Sequence, residues 1–392
     1  MKIQSFSKAD LVIVVPLIFY SFFVNFFSAN IGVMPIDTFG FFDSGYSILL
    51  NKLPVRDYWI TTGIVVDYLQ SIFFFIFGTH WNSYIYHASF INIIATLSFF
   101  IFLKEFKVKR KLIAIYLVSF ATLCYPVSGT PFAYLHSYVF SLISIFFLMI
   151  AINRKDSRIW FFIPILFFIS FFSMQTPSAY IFILSLVFIF YFFIKNKNTN
   201  AIKQLILGTT ACLIFSIFYL IISKTSLSSF LYQYFLFPLT IGEGRFISNE
   251  LAYVKLQDQI NFKRIFGDFK FIHLFLFSLV FITILKIKSK NNKYILLNLF
   301  FILSCLLFLI NQILQANQIY IFSLIPILLS VCNINYLEND KFSKISSLLL
   351  VLLIFITLKY HERYNIDRKF LDIEKKNKNF AISANILDKK FG

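Results

Sequence analysis

The chain has 392 residues, of which 59% are hydrophobic and only 14% are charged, and its mean hydropathy is +0.78. Soluble globular proteins are about 45–50% apolar, so this composition excludes a soluble domain and indicates a polytopic α-helical membrane protein. The formal net charge of +18 could suggest a nucleic-acid partner. The basic residues instead stand at the ends of apolar runs, which indicates membrane topology and no nucleic acid.

Roughly eleven apolar segments are long enough to cross a bilayer as helices, since a span takes about 20 residues and short spans about 17. In chain order they are 10–29, 82–103, 112–128, 137–153, 159–174, 178–194, 204–223, 271–287, 294–312, 319–335 and 344–359. The predicted fold class is therefore all-α, a polytopic transmembrane helix bundle. We expect the first segment to remain as an anchor, because it has no small-residue cleavage site.

Positive charges set the predicted orientation of these spans. With the N-terminus inside, every second connection returns to the inside, and these connections are rich in Lys and Arg. They are 104–111, 154–158, 195–203, 286–293 and 341–344. The short outside loops near Gly129, Thr176 and Ala316 hold neither Lys nor Arg, which is the asymmetry that the positive-inside rule predicts.

Residues 1–359 are predicted to form one transmembrane domain, and 360–392 a polar tail that we place outside. Two longer outside loops are predicted, at 30–81 and 224–270. An apolar run of about 15 residues at 63–77 is too short for a span and carries two polar residues, so a re-entrant or interfacial helix fits it better. Counting it as a span would also move the basic 104–111 connection to the outside.

Charged residues are concentrated in the first outside loop, where they lie beside apolar sequence. They are Asp37, Asp43, Arg56, Asp57 and Asp67. Charges next to hydrocarbon are costly, so we expect these residues to belong to a functional site. A carboxylate can act as a general base on an acceptor hydroxyl, and a cation can hold a phosphate leaving group.

The spacing of apolar residues over 37–51 predicts an amphipathic helix at the membrane surface. Its predicted apolar stripe is Phe39, Phe42, Tyr46, Leu49 and Leu50. Asp37 stands where an N-cap residue is expected, and capping is compatible with a catalytic role. A turn at Pro54 follows, and Arg56 and Asp57 come directly after it.

Four features of this loop occur together: Asp37, the apolar helix, the LPVRDY motif at 53–58 and the Phe77-Gly78 ending. With them, the loop resembles the first periplasmic loop of the GT-C membrane glycosyltransferases. In that family, a pattern of the form DE…GxxPYRDF…PG…LFG recurs. Protein mannosyltransferases, aminoarabinose transferases and the catalytic subunits of oligosaccharyltransferases share the architecture. The resemblance covers about residues 10–105, and beyond them only the topology is similar.

The resemblance implies that Asp37 is the catalytic carboxylate, because its spacing to the loop proline matches, and that Asp43 is the alternative. The sequence departs from the family at Thr38, which replaces a second acidic residue, and at Thr62-Gly63, where many members have Pro-Pro or Pro-Gly. Because of these departures, a divalent cation remains an open alternative as a cofactor, and no metal ligands are assigned. Four cysteines in apolar runs, Cys124, Cys212, Cys305 and Cys332, lack the spacing of a metal site.

Other outside segments add candidate substrate-binding residues to Arg56 and Asp57. They are His136, Glu243, Arg245 and Gln318. His136 can bond a phosphate or a sugar, or can be an interfacial histidine among aromatic residues. Arg245 can clamp a pyrophosphate bidentately, while Glu243 can simply pair with it. Amides such as Gln318 bond sugar hydroxyls well and also form turns.

These features predict an inverting glycosyltransferase in the bacterial inner membrane, with its active site facing the periplasm. Its donor would be a polyprenyl-phosphate-linked sugar or oligosaccharide, used in surface polysaccharide assembly such as that of O-antigen and lipopolysaccharide, with other assembly proteins as partners. The sequence has neither GxGxxG nor a Walker motif, which suits a donor already attached to lipid.

Two alternatives remain open at this point. An O-antigen polymerase would join lipid-diphosphate-linked repeat units with the same kind of site. A flippase or transporter of lipid-linked saccharides belongs to a different class, and would predict charged spans and two related halves, neither of which is evident in the sequence. A membrane scaffold without activity leaves the acidic loop unexplained.

Overall fold

A computed structural model of the chain describes residues 7–32, 37–60, 62–154, 157–241, 261–315, 320–336 and 343–366. Within these ranges, the side chains of Asp37, Arg264, Tyr336 and residues 343–347 are not described. The regular elements of this described part are all helices, which confirms the predicted all-α class.

The described part of the chain forms fourteen α-helices. In chain order they are α1 (Lys8–Ile31), α2 (Asp37–Leu49), α3 (Val65–Phe77), α4 (Trp81–Glu105), α5 (Arg110–Leu123), α6 (Ala133–Arg154), α7 (Ile159–Ser173), α8 (Gln175–Asn196), α9 (Thr199–Ser223), α10 (Leu227–Ile241), α11 (Lys270–Lys288), α12 (Ile295–Leu314), α13 (Leu324–Tyr336) and α14 (Ser343–Ile366). A 3-10 turn at Tyr125–Val127 extends α5, a π-helical turn at Tyr232–Leu236 lies within α10, and another at Lys263–Asp268 precedes α11.

Eight helices of the described ranges are long and apolar enough to cross a membrane. They are α1, α4, α5 with its 3-10 extension, α6, α8, α9, α11 and α12. The other predicted spans correspond to α7 with 15 residues, α13 with 13 residues, and α14. The chain is therefore a multi-pass membrane bundle, as its composition predicts.

Helices α1 and α4 run antiparallel, and polar contacts at both ends fix this pairing. At one end the Asp10 carboxylate, which is part of a capping box with Ser7, accepts a hydrogen bond from Lys104 Nζ at 2.7 Å. Toward the other end, Asn25 Nδ2 donates to Ser89 Oγ at 2.9 Å. Since α1 ends where α4 begins, α2 and α3 lie together at one end of the bundle, which we call the α2–α3 end.

Helix α3 lies at this end and does not cross the bundle. Its 13 residues extend over roughly 20 Å, less than the roughly 30 Å of a hydrocarbon core. The opposite end of the bundle carries the basic residues Lys104, Arg110 and Arg154, paired with Asp10 and Glu105. The positive-inside rule predicts that this basic end faces the cytoplasm and that the α2–α3 end faces outward.

Two glycines let the segments of the α2–α3 end approach each other closely. A Cβ atom on Gly63 would lie 1.8 Å from the carbonyl oxygen of Phe172, and the Gly63 N–H donates to the carbonyl oxygen of Ser173 at 3.0 Å. A Cβ atom on Gly45 would lie 2.5 Å from Gln70 Cγ. Any larger side chain at either position would separate α3 from its neighbours.

Candidate functional site

The candidate site is built on a tight turn from Leu53 to Tyr58. The Val55 N–H donates to the Tyr58 carbonyl oxygen at 3.0 Å, and the Leu53 N–H donates to Asp57 Oδ2 at 2.7 Å. Val55 is buried and has a φ of 72°, in the left-handed region that β-branched residues rarely adopt. Such strain persists only where surrounding contacts fix it, and it occurs often at functional sites.

Arg56 is the cation that this turn presents. Its Nε and Nη2 atoms donate to the two Asp57 carboxylate oxygens at 2.9 and 2.6 Å, and its Nη1 atom donates to the Ser223 carbonyl oxygen at 3.1 Å. The two side chains are 34% and 31% exposed. The hydrogen bond from Arg56, with a further bond from the Leu53 N–H, lowers the pKa of Asp57 to about 2. At neutral pH the pair therefore stays ionised and fixed in orientation.

A second carboxyl group lies beneath this turn. Asp67 is 5% exposed, and its Oδ2 atom accepts a hydrogen bond from the Tyr58 hydroxyl at 3.0 Å. Burial raises the pKa of Asp67 to about 7, although the bond from Tyr58 acts in the opposite direction. Asp67 therefore exchanges a proton near neutral pH. The sequence feature that indicates this buried polar group is the spacing of Asp67 and Gln70, which puts both on one face of an apolar helix.

An apolar groove of about 260 Å³ lies between α3, α7, α9 and α10. Its walls are formed by Ile64, Val65, Leu69, Phe168, Phe172, Phe215, Ser216, Leu220 and Phe230. Two further lining residues, Tyr68 and Tyr219, mark what we call its polar end, because their rings line the groove and the Tyr68 hydroxyl donates to the Tyr219 hydroxyl beside it at 3.3 Å. Arg56 interacts electrostatically with both phenols, so a cation lies near the polar end of the groove.

The α9 wall of the groove faces the bilayer. Leu213, Ile214 and Phe218 on this helix are 59%, 62% and 60% exposed. Because α9 is long and apolar enough to span a membrane, these side chains contact lipid. Phe215, which lines the groove on the same helix, is 57% exposed, so a lipid chain can reach the groove sideways from the bilayer without passing through water.

The two candidate general bases lie on α2. Asp37 begins this helix, which is the predicted position of a cap or a base, but its side chain lies outside the described residues. Asp43 is exposed on the same helix. The structure therefore places both residues on α2, the helix that packs against α3.

The predicted apolar stripe of α2 is only partly right. Phe42 packs edge-to-face against Phe74, with ring centroids 4.7 Å apart. Phe39 and Leu50, however, are 55% and 51% exposed. Gly45 is the reason, because α3 approaches α2 most closely where α2 has no side chain.

His136 belongs to a buried group of polar side chains, which we call the histidine cluster. Its members are Gln70 of α3, His87 of α4, Tyr125 and His136. The Nε2 atoms of the two histidines are 3.0 Å apart, His136 Nδ1 is 2.5 Å from the Tyr125 oxygen, and His87 Nδ1 is 2.9 Å from Gln70 Oε1. All four residues are 0% exposed.

One set of tautomers satisfies every contact within the histidine cluster. Tyr125 donates to His136 Nδ1, His136 Nε2 donates to His87 Nε2, and His87 Nδ1 donates to Gln70 Oε1. The sequence predicts His136 in a loop, whereas it lies in the first turn of α6, engaged on both ring nitrogens. The cluster thus ties α3 to α4 and α6, and His87, Gln70 and Tyr125 were missed because their partners are distant in sequence.

The remaining candidate residues, Glu243, Arg245 and Gln318, lie outside the described residues. Of the candidates that are described, the structure brings Arg56 and Asp57 together and places His136 in the separate histidine cluster. No group of three or more His, Cys, Asp or Glu side chains in the described ranges is arranged to hold a metal ion.

No protein-family model, no curated protein and no solved structure matches this chain. Function is therefore inferred from the geometry at the α2–α3 end. Its main elements are the Arg56–Asp57 pair, the Tyr58–Asp67 hydrogen bond and the groove with its polar end.

Proposed function

We propose that this chain is a membrane glycosyltransferase whose donor is a sugar or oligosaccharide linked to a polyprenyl phosphate. The groove carries this proposal, because it is apolar, faces lipid through α9, and ends at the Tyr68 and Tyr219 hydroxyls near Arg56. An isoprenoid tail suits the apolar walls, while a phosphate suits hydroxyl donors and a guanidinium.

The size of the groove limits how much of the donor it holds. Pockets for drug-sized ligands measure about 300–1,000 Å³, and this groove measures about 260 Å³. It therefore accommodates the isoprene units next to the phosphate, and the rest of the chain stays in the bilayer beside α9. This arrangement fixes the phosphate while the long tail keeps its freedom.

Arg56 would stabilise the departing phosphate. A guanidinium has five N–H donors, and in the described contacts four of them bond the two Asp57 oxygens and the carbonyl oxygens of Ser223 and Asn51. Asp57 thereby fixes the plane of the guanidinium and orients its remaining N–H donor. Preorganised donors of this kind stabilise charge that develops in a transition state.

The carboxylate at the start of α2 would supply the base. In this proposal, Asp37, with Asp43 as the alternative, takes the proton from an acceptor hydroxyl as its oxygen attacks the anomeric carbon. The bond from that carbon to the phosphate oxygen breaks, and the phosphate leaves with the electron pair. A single displacement inverts the anomeric configuration. The proposed site is periplasmic, in surface polysaccharide assembly, and an O-antigen polymerase would use the same steps.

Filling the groove tests the proposal. Ser216 lines the groove, and its hydroxyl donates to the carbonyl oxygen of Cys212 at 2.9 Å within α9. Ser278 of α11 makes the same intrahelical contact with Leu274 at 2.8 Å and is a matched control. Ser216→Phe should abolish most sugar transfer from a polyprenyl-phosphate donor in proteoliposomes, and Ser278→Phe should preserve it.

Two results would contradict the proposal. Equal transfer by both variants would show that the groove does not bind the donor. Movement of the donor across the membrane by wild type, with no new glycosidic bond, would identify a flippase.

A further inference from the structure

The Asp67 carboxyl group connects the turn that carries Arg56 with the polar end of the groove. Tyr58 donates its hydroxyl hydrogen to Asp67, and its carbonyl oxygen accepts the hydrogen bond that closes the turn. The next residue of α3, Tyr68, lines the groove and bonds Tyr219. A change in the charge of Asp67 therefore acts on both the turn and the groove.

The groups around Asp67 carry no compensating positive charge. The titratable side chains that interact with it electrostatically are Tyr58 of the turn, Tyr68 of its own helix, Tyr84 of α4 and Tyr219 of α9. Of the other helices packed on α3, α7 has no titratable residue. Helix α2 carries Asp37, whose side chain is not described, an exposed Asp43 and a half-buried Tyr46, and α4 also carries His87, which bonds Gln70 of α3. Phenols are neutral near pH 7, and Arg56, the cation near the polar end of the groove, bonds Asp57, so the described contacts of Asp67 include no cation.

We infer that Asp67 is a positioning residue that couples the binding of a phosphate-bearing lipid to the uptake of a proton. When Asp67 is protonated and neutral, an anion can bind at the polar end of the groove. When Asp67 is ionised, its carboxylate repels that anion. This inference rests on the proposed function and adds a property to the same site. Asp67 itself is buried under the Tyr58 hydroxyl, and it acts through the turn and through the local field.

The sign of the effect follows from the two charges involved. Burial already raises the pKa of Asp67 to about 7 without ligand. A bound phosphate diester places a negative charge nearby, which disfavours the carboxylate and raises the pKa of Asp67 further. The complex then keeps a proton that the free protein has lost. Affinity is therefore greatest well below pH 7 and falls as pH rises above 7, by at most about tenfold per pH unit.

The test uses a probe whose own charge does not change near neutral pH. Methyl farnesyl phosphate is a diester with a single negative charge, and farnesol is the matching lipid without phosphate. Calorimetry of purified protein in two buffers with different ionisation enthalpies gives the number of protons taken up per diester bound. Dissociation constants are measured from pH 6.5 to 8.5 in the same preparations.

Wild type should take up a fraction of a proton at pH 7.5 and bind the diester several-fold more weakly at pH 8.5. Asp67→Asn cannot ionise, so it should take up none, and its dissociation constant should not change with pH. Asp268→Asn, a change of the same size near Arg363, should behave as wild type. Asp67→Glu restores a titratable group and should restore proton uptake.

The outcomes separate the inference from the proposed function. Unchanged proton uptake in Asp67→Asn, in protein that still binds farnesol, would overturn the inference and leave the phosphate site standing. Binding of farnesol as tightly as the diester by wild type, or no binding of either lipid, would overturn both. Loss of farnesol binding in Asp67→Asn alone would give Asp67 a purely structural role and would also overturn the inference.

Discussion

Arg56 donates to the carbonyl oxygen of Ser223 at 3.1 Å, across 167 positions of the sequence. Ser223 is the last residue of α9, where the helix dipole is negative and favours a cation. This one contact places the cation of the first loop at the end of the helix that forms the lipid-facing wall of the groove. The proposed sites for the phosphate and for the lipid tail are thereby held in a fixed relation.

Replacing Arg56 tests its role toward the phosphate. Lysine keeps the charge but cannot bond both Asp57 oxygens and Ser223 together. Hydrogen bonds to charged groups contribute about 1.5–3 kcal/mol, so Arg56→Lys should lower kcat/KM for sugar transfer roughly 10- to 100-fold, and Arg56→Ala more. Arg110→Lys, at the opposite end of the bundle, should be silent, because the Arg110 side chain is 58% exposed and Lys104 already pairs with Asp10 more closely. Wild-type rates in Arg56→Lys would remove Arg56 from the site.

The identity of the base is tested by two isosteric changes on α2. Asp37→Asn keeps the size and much of the capping ability of the residue but removes the base, so it should abolish glycan formation at normal protein levels. Asp43→Asn should retain activity. The reverse pattern would make Asp43 the base, and full activity in both variants would require the catalytic proposal to be abandoned.

Thiol labelling in intact spheroplasts tests the orientation of the bundle. A cysteine at Ser44 on α2 should react with a membrane-impermeant reagent, and one at Ser157 before α7 should react only after lysis. The background needs Cys212 replaced, because it is only partly buried while the other cysteines are buried. Labelling at Ser157 but not at Ser44 would invert the topology and place the groove's polar end inside.

The histidine cluster should contribute to stability as a unit. His87→Phe leaves His136 Nε2 and Gln70 Oε1 without their partners, at a cost of about 1–3 kcal/mol for each buried unsatisfied group. His136→Phe should have a similar cost, and the double change should cost less than the sum. Thermal unfolding in detergent measures the loss of stability in each variant. A control pair, His87→Phe with His273→Phe, should be additive, and additivity within the cluster would argue against a coupled unit.

The membrane spans were predictable because each one is a long apolar run with its own local signal. The segment predicted at 82–103 is the helix Trp81–Glu105, and the one predicted at 204–223 is Thr199–Ser223. The sequence also predicts that residues 63–77 do not span the membrane, since a helix of that length cannot cross the hydrocarbon core. These features depend only on residues close together in the sequence.

The site was less predictable because its contacts join distant segments. The sequence shows that Asp67 is charged, but its burial and its bond from Tyr58 depend on how α3 packs. His136 was placed in a loop because its polar neighbours lower the local hydropathy, whereas His87 and Tyr125 satisfy it inside the bundle. The packed face of α2 includes Gly45, where α3 approaches closely, and differs from the face that the apolar pattern predicts.

The pairing of Asp10 with Lys104 has a consequence for how the chain is made. The carboxylate on the first helix is 6% exposed in the finished bundle, and its cation arrives 94 residues later in the sequence. An unpaired carboxylate is costly in hydrocarbon, so during synthesis the start of α1 must stay near the polar lipid headgroups. We expect it to take its final packed position only after Lys104, at the end of α4, has been synthesised.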